Sequence, residues 1–198
     1  MNDLLSLFND ANARHAMIVH WPIVLCGVLP VMALLVLAFG HKSRTLAALT
    51  LACCLGASAG AYAAVQSGED AEHALPMKSG ALSVAEGKAV HEHEELAENG
   101  WVWPLIPGVF AALSLVRFRS VAPRFAAGGL LLLTSLGVVG WVATTAHAGG
   151  RLVYEFGLGV PERGKAEAVS GASASTGNAG EASKDAGKPE KHEGADAD

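Results

Sequence analysis

The sequence predicts an all-α integral membrane protein: a four-helix bundle with a periplasmic histidine-bearing loop and a disordered C-terminal tail. Three observations carry that expectation. Of 198 residues, 51% are hydrophobic and only 17% charged, and the mean hydropathy is +0.33. The apolar residues gather in four runs, at about 16–39, 46–65, 101–116 and 126–147, each near the ~20 residues that cross a hydrocarbon core of ~30 Å. Lysine and arginine, finally, concentrate in two of the connections between those runs.

The chain opens with "MNDLLSLFNDANAR", where Asp3 and Asp10 replace the basic start of a secretion signal. The apolar run behind it is also too long for a signal core, so the first span is expected to be retained. Residues 1–15 are expected either as an interfacial segment, with Leu4, Leu5, Leu7 and Phe8 able to lie on the membrane surface, or as a frayed terminus. The second span follows a short loop carrying Lys42 and Arg44. The third is the shortest, and Pro104 and Pro107 near its start predict that its helix begins or kinks there. The amphipathic run before it can extend the same rod. The fourth ends near His147, and the alternation of Leu152, Tyr154, Phe156, Leu158 and Val160 with smaller or polar residues predicts an extended segment folded over the bundle's end. From 161 to 198 the chain is Gly, Ala, Ser, Lys and Glu with almost nothing apolar to bury, which predicts disorder.

Orientation follows from charge. Lys42 and Arg44, and Arg117, Arg119 and Arg124, fill the two short loops, whereas the long connection 67–100 is acidic with only Lys78 and Lys88. The short loops are expected in the cytoplasm, with both termini and the long loop facing the periplasm or cell exterior. The formal net charge of −5 lies mainly on that outer side, which gives no electrostatic reason to expect nucleic acid as a partner.

Eight histidines punctuate this layout: His15, His20, His41, His73, His91, His93, His147 and His192. All but His41 fall on the outer side, and each span brings at least one imidazole to that leaflet. Ionisable groups near hydrocarbon are costly and are usually kept for a partner or a task. Haem b, held by histidines on facing helices, is one candidate occupant. Binding, sensing or transport of a first-row metal ion through His20, His147, His91 and His93 with the nearby carboxylates is another reading. A third reading makes the protein a non-catalytic membrane subunit or assembly factor whose partner performs the redox or other chemistry. For haem, His20 and His147 form the preferred axial pair, because spans one and four cross this face at similar depth. Gly149 and Gly150 would let the backbone approach the macrocycle, and Arg151 would pair with a propionate. His15 and His73, with His91 and His93, are the remaining ligand candidates.

Several chemistries find no support. "HEHEELA" places Glu95 four residues after His91 and Ala97 four after His93, so neither begins the His-Glu-x-x-His of a zinc protease. Cys26, Cys53 and Cys54 all lie in spans, with no spacing for covalent haem. No nucleophile elbow or phosphate loop is present, so the chain is not expected to be an enzyme on its own.

"ARHAMIVHWPIVL", "SGEDAEH", "HEHEELA" and "HAGGRLVYEFGLGV" together resemble the bacterial membrane family named domain of unknown function 2231. The likeness runs from His15 to Val160, and its most specific part is the final motif. It implies a four-helix inner-membrane protein with a suspected link to haem proteins. Phe156 stands where the resemblance would place a histidine in many relatives.

Overall fold

The structure, a computed structural model, describes residues 8–39, 44–79, 82–116 and 120–160, the side chains of 76–79 excepted. Residues 1–7, His41, Lys42, Arg117, Arg119 and the tail 161–198 with His192 lie outside the described residues.

The described residues are entirely helices and turns: α1 (Ala11–Phe39), α2 (Arg44–Ser79), α3 (Val84–Glu98), a 3-10 turn (Gly100–Val102), α4 (Leu105–Leu113) and α5 (Val121–Tyr154). Three helices are long and apolar enough to cross a membrane: Ala11–Phe39, Arg44–Leu75 and Val121–Tyr154. Asp10 starts α1 by accepting the backbone N–H of Asn12 at 2.9 Å and of Ala13 at 3.3 Å, two donors that the first turn otherwise leaves unpaired.

α1 packs along α2 and α5, and α4 packs against both α2 and α5, so the rods close on one another. Small residues allow the approach. Gly60 of α2 lies under Trp21 and Pro22 of α1, and Gly128 of α5 lies under Leu37, with that Cα 3.4 Å from where a Cβ would stand. Cys26, Leu29, Cys54, Ala57 and Val138 form one buried cluster, and Ala33, Val36, Ala47, Ala111 and Leu131 a second. The outward faces are apolar too: Val24, Val28, Val31 and Leu34 on α1, and Leu130, Leu133 and Leu136 on α5, are exposed. In water such a surface would be a liability, whereas in lipid it is the required solvent face.

Three sequence expectations need correction. The third apolar stretch is a shorter helix than the expected span: α4 begins after Pro104, where the prolines predict a start, and has only 9 residues, about 14 Å of rise. The acidic connection 67–100 is mostly helical: α2 runs on to Ser79, and α3 returns beside it. α3 begins at a capping box in which the Ser83 hydroxyl accepts the Glu86 N–H at 3.3 Å, and the Glu86 carboxylate accepts the Ser83 N–H at 2.7 Å. Finally, the segment expected to be extended is helical through Tyr154 and then turns, with Gly157 and Gly159 at φ 63° and 76°. Leu152 lines the cavity and Tyr154 is exposed, both from the last turn of the helix, so the alternation does not mark a strand. The turn still folds back: the Leu158 N–H donates to Leu152 O at 2.8 Å, and the buried Leu158 side chain joins Leu75 and Val90.

Candidate functional site

One end of the helices holds a cavity of about 630 Å³, inside the ~300–1,000 Å³ range of small-molecule sites. Four helices contribute a stripe each. On α1 the inner face that buries Leu29, Cys26 and Pro22 continues one helical repeat back to His15 and on to Asn12. α2 supplies Ala61, Ala64, Gly68 and Leu75, α3 supplies Val90, His93 and Ala97, and α5 supplies Trp141, Thr145, Gly149 and Leu152. Leu158 and Gly159 of the terminal turn complete the wall. Most of these side chains are apolar, but Glu69 and Glu72 of α2 and Glu94 and Glu98 of α3 also line the cavity, beside the histidines.

His15 and His93 are both half-buried here, and their bonds fix the same tautomer in each. The Ser67 hydroxyl donates to Ala64 O at 2.9 Å, so its oxygen is left to accept from His15 Nδ1–H, 3.0 Å away. His93 Nδ1 lies 3.2 Å from the carbonyl of Thr145, which can only accept, so that nitrogen carries a proton as well. In both rings Nε2 therefore retains a free lone pair, the arrangement that prepares a histidine to ligate a metal. Burial lowers the His93 pKa below the ordinary histidine value, with the Thr145 carbonyl partly opposing it, and keeps the ring neutral. Gly68 and Gly149 make room for the two imidazoles: an added Cβ would stand 3.2 Å from His15 Cε1 at the first and 2.9 Å from His93 Cε1 at the second.

Two further polar atoms in the cavity residues are buried without a partner, Asn12 Nδ2 and Thr145 Oγ1. An orphaned buried donor costs about 1–3 kcal/mol, a cost that a bound group or water would relieve. Trp141 also lines the cavity, its indole N–H donating to Leu96 O at 2.9 Å and its ring packed against Gly100.

The remaining sequence candidates are distributed differently from expectation. His20 reaches the cavity only at its rim: it is exposed, and its Nδ1 is 2.6 Å from the carbonyl of Ala16. His147 is exposed on another face of α5, in a shallow pocket of about 350 Å³ shared with Glu92, Leu96 and Arg151. The preferred pair is thus not brought together, because residue 147 falls two positions from Thr145 and Gly149 on the helical wheel's inner side. His73 and His91 are exposed, and His91 lies 3.7 Å from the Glu94 carboxylate. Gly149 accommodates the His93 ring, whereas the Cβ position of Gly150 meets nothing within 4 Å. Arg151 spends its guanidinium on Glu155 at 3.1 Å and Glu92 at 3.3 Å, tying α5 to α3 as Arg14 ties α1 to α2 through Asp70 at 2.7 Å. Among the described residues, no three His, Cys, Asp or Glu side chains converge as a metal-ion site.

Ser67, Thr145 and Asn12 are the site residues that sequence reasoning passed over. Ser67 and Thr145 matter through the histidines they orient, which no spacing within one helix reveals.

A helical protein with a lipid-compatible exterior and a histidine-bearing cavity at one end of its long helices is what these features define. The chain belongs to the family of predicted membrane proteins named DUF2231, whose family model matches residues 12–162. No curated protein and no solved structure matches the chain.

Proposed function

We propose that the cavity binds haem b without covalent attachment, that His15 and His93 would hold it, and that the protein carries electrons at the outer face of a bacterial inner membrane. The observation that carries this reading is the pair of half-buried imidazoles, each with Nδ1–H engaged and Nε2 free, in one mostly apolar cavity. A bare metal ion asks the protein for three or four ligands. Haem iron brings four nitrogens of its own and asks for two, which suits a pair of histidines without a third partner. The orphaned Asn12 Nδ2 and Thr145 Oγ1 fit a bound group that carries acceptor oxygens. The chemistry haem would supply is one-electron transfer. The protein's part is to hold both imidazoles neutral and oriented and to exclude water.

Arg44 and Arg124 lie at the helix ends remote from the cavity, and Lys42, Arg117 and Arg119 belong to the same two connections. By the positive-inside rule that end is cytoplasmic, and the histidine end faces the periplasm.

The test is an absorption spectrum of the detergent-purified protein, oxidised and dithionite-reduced, after expression with ample haem. Wild type should give a reduced haem b spectrum. His15→Ala and His93→Ala should each lose or shift it, while His147→Ala and His20→Ala should keep it. A wild-type protein without haem absorption ends the proposal, and loss confined to His20→Ala and His147→Ala transfers the ligand role to that pair.

A further inference from the structure

We propose that the cavity takes its ligand sideways from the bilayer, through a portal between the N-terminal part of α1 and the C-terminal part of α5, so that its ligand is a membrane-partitioned amphiphile. This rests on the cavity being a binding site, as the preceding reading holds, but not on the occupant being haem.

The wall of the cavity is uneven. On α1, Ala16, His20 and Ile23 line it and are nevertheless exposed. On α5, Ala146 and Val153 do the same. A residue that both lines a cavity and is exposed marks a mouth; Glu69, Glu98, Tyr154 and Gly159 do so as well, so the α1–α5 opening is the apolar mouth of a cavity that also opens among polar groups. At the apolar mouth the positions recur at i, i+4, i+7 on α1 and at i, i+7 on α5, so each set lies along one flank of its rod. Farther along, the same two helices are in contact where Leu37 covers Gly128. The helices therefore touch at the remote end and leave a slot at the cavity end, edged by the small side chains Ala16 and Ala146.

Depth decides what the slot faces. From Phe39, the far end of α1, to Ile23 is about 24 Å of helix, and to His20 about 28 Å, against a hydrocarbon core of about 30 Å. The lower edge of the mouth thus lies among acyl chains and the upper edge, at Val153, among headgroups. At the opposite extreme of the cavity Leu158 fills the space between Leu75 and Val90. The terminal turn carrying Leu158 is held by its hydrogen bond to Leu152 and by the Arg151 ion pairs.

His20 gives the mouth its polar character. With Nδ1–H donated to the Ala16 carbonyl, its Nε2 presents a lone pair at the boundary. A flat molecule with an apolar body and a polar edge can slide in from the leaflet with that edge kept at headgroup level. Haem with its carboxylates meets this description, and so does a quinone head.

The test uses Trp141, which lines the cavity. A Trp21→Phe, Trp101→Phe, Trp103→Phe background leaves it the sole indole. The full-length haem-free protein is placed in phosphatidylcholine vesicles whose acyl chains are brominated near the headgroup, and Trp141 emission is compared with that in unbrominated vesicles. Loss of emission in the brominated vesicles, relieved when Ala16→Phe and Ala146→Phe fill the slot, is the expected result. Unchanged emission overturns the proposal. So does a loss that the slot-filling pair leaves intact, since lipid would then reach Trp141 by another route. Leu158→Gly serves as the comparison: it should raise quenching by aqueous acrylamide and leave bromolipid quenching unaltered. Haemin offered from vesicles and from solution gives the second arm, with slot filling slowing uptake from vesicles. A protein that passes the bromolipid test yet takes up no haem retains the portal and loses the haem reading.

Discussion

Gly149→Ala separates the ligand site from the fold that carries it. A methyl group there would stand 2.9 Å from His93 Cε1 and 3.4 Å from both ring nitrogens, whereas carbon atoms rest at about 3.5–4.0 Å. The ring must retreat by about 1 Å, and its bond to Thr145 O, already 3.2 Å long, breaks. Losing that bond costs about 0.5–1.5 kcal/mol. Replacing a glycine inside a helix by alanine returns about 1 kcal/mol, so the two effects nearly cancel in stability. They do not cancel at the cavity. A ligating histidine deprived of its orienting acceptor typically loses about 10–100-fold in metal affinity. Gly149→Ala should therefore insert normally, unfold within a few degrees of wild type in detergent, and bind haem at least about 10-fold more weakly by titration. Gly150→Ala is the control, since its added methyl meets nothing within 4 Å. It should gain up to about 1 kcal/mol with haem affinity unchanged. Equal haem affinity in the two variants would refute the role given to His93, and a severe loss of stability in Gly149→Ala would refute the assumption that the ring can yield.

Ser67→Ala removes the acceptor that fixes His15, and should weaken haem binding about 10-fold while costing about 1 kcal/mol. His93 ties stability to pH: its folded pKa lies below the unfolded value of about 6.5, so unfolding takes up a proton in that window and stability falls as pH drops below about 6.5. Unfolding in detergent across that range should show the slope in wild type and a weaker one in His93→Gln. Gly100→Ala drives a methyl into the Trp141 ring and should destabilise by about 1–3 kcal/mol, read as a lower unfolding temperature. Reporters active only in the periplasm should work when fused after Tyr154 and fail when fused after Arg119.

How legible the site was depends on which signal is read. The long apolar runs announce three helices, because solvent selects for hydrophobic length and little else does. Position along a run, however, does not tell which way a side chain points. His20 lies deeper in its run than His15, yet His15 shares the inner stripe with Pro22 and Cys26 while His20, five residues on, turns toward the rim. The helical phase of Cys26 and Leu29, extended backward, was the available clue. α3 was also written in the sequence: Ser83 and Glu86 spell a capping box ahead of "HEHEELA", a start signal that acidic composition concealed. The pairing of His93 with Thr145 O had no such signature, since it arises from the packing of α3 on α5 across 52 residues of chain.

The excess length of α2 and α5 has an electrical consequence. With 36 and 34 residues they measure about 54 and 51 Å, far more than the ~30 Å over which a membrane potential falls. His15 is about 36 Å along α1 from Phe39, so a charge arriving at the cavity from the histidine side would traverse almost none of that drop. Moving an elementary charge through the whole field costs about 2.3 kcal/mol per 100 mV. A redox centre carried on these overhanging ends would be spared that work, and its potential would stay indifferent to whether the cell is energised.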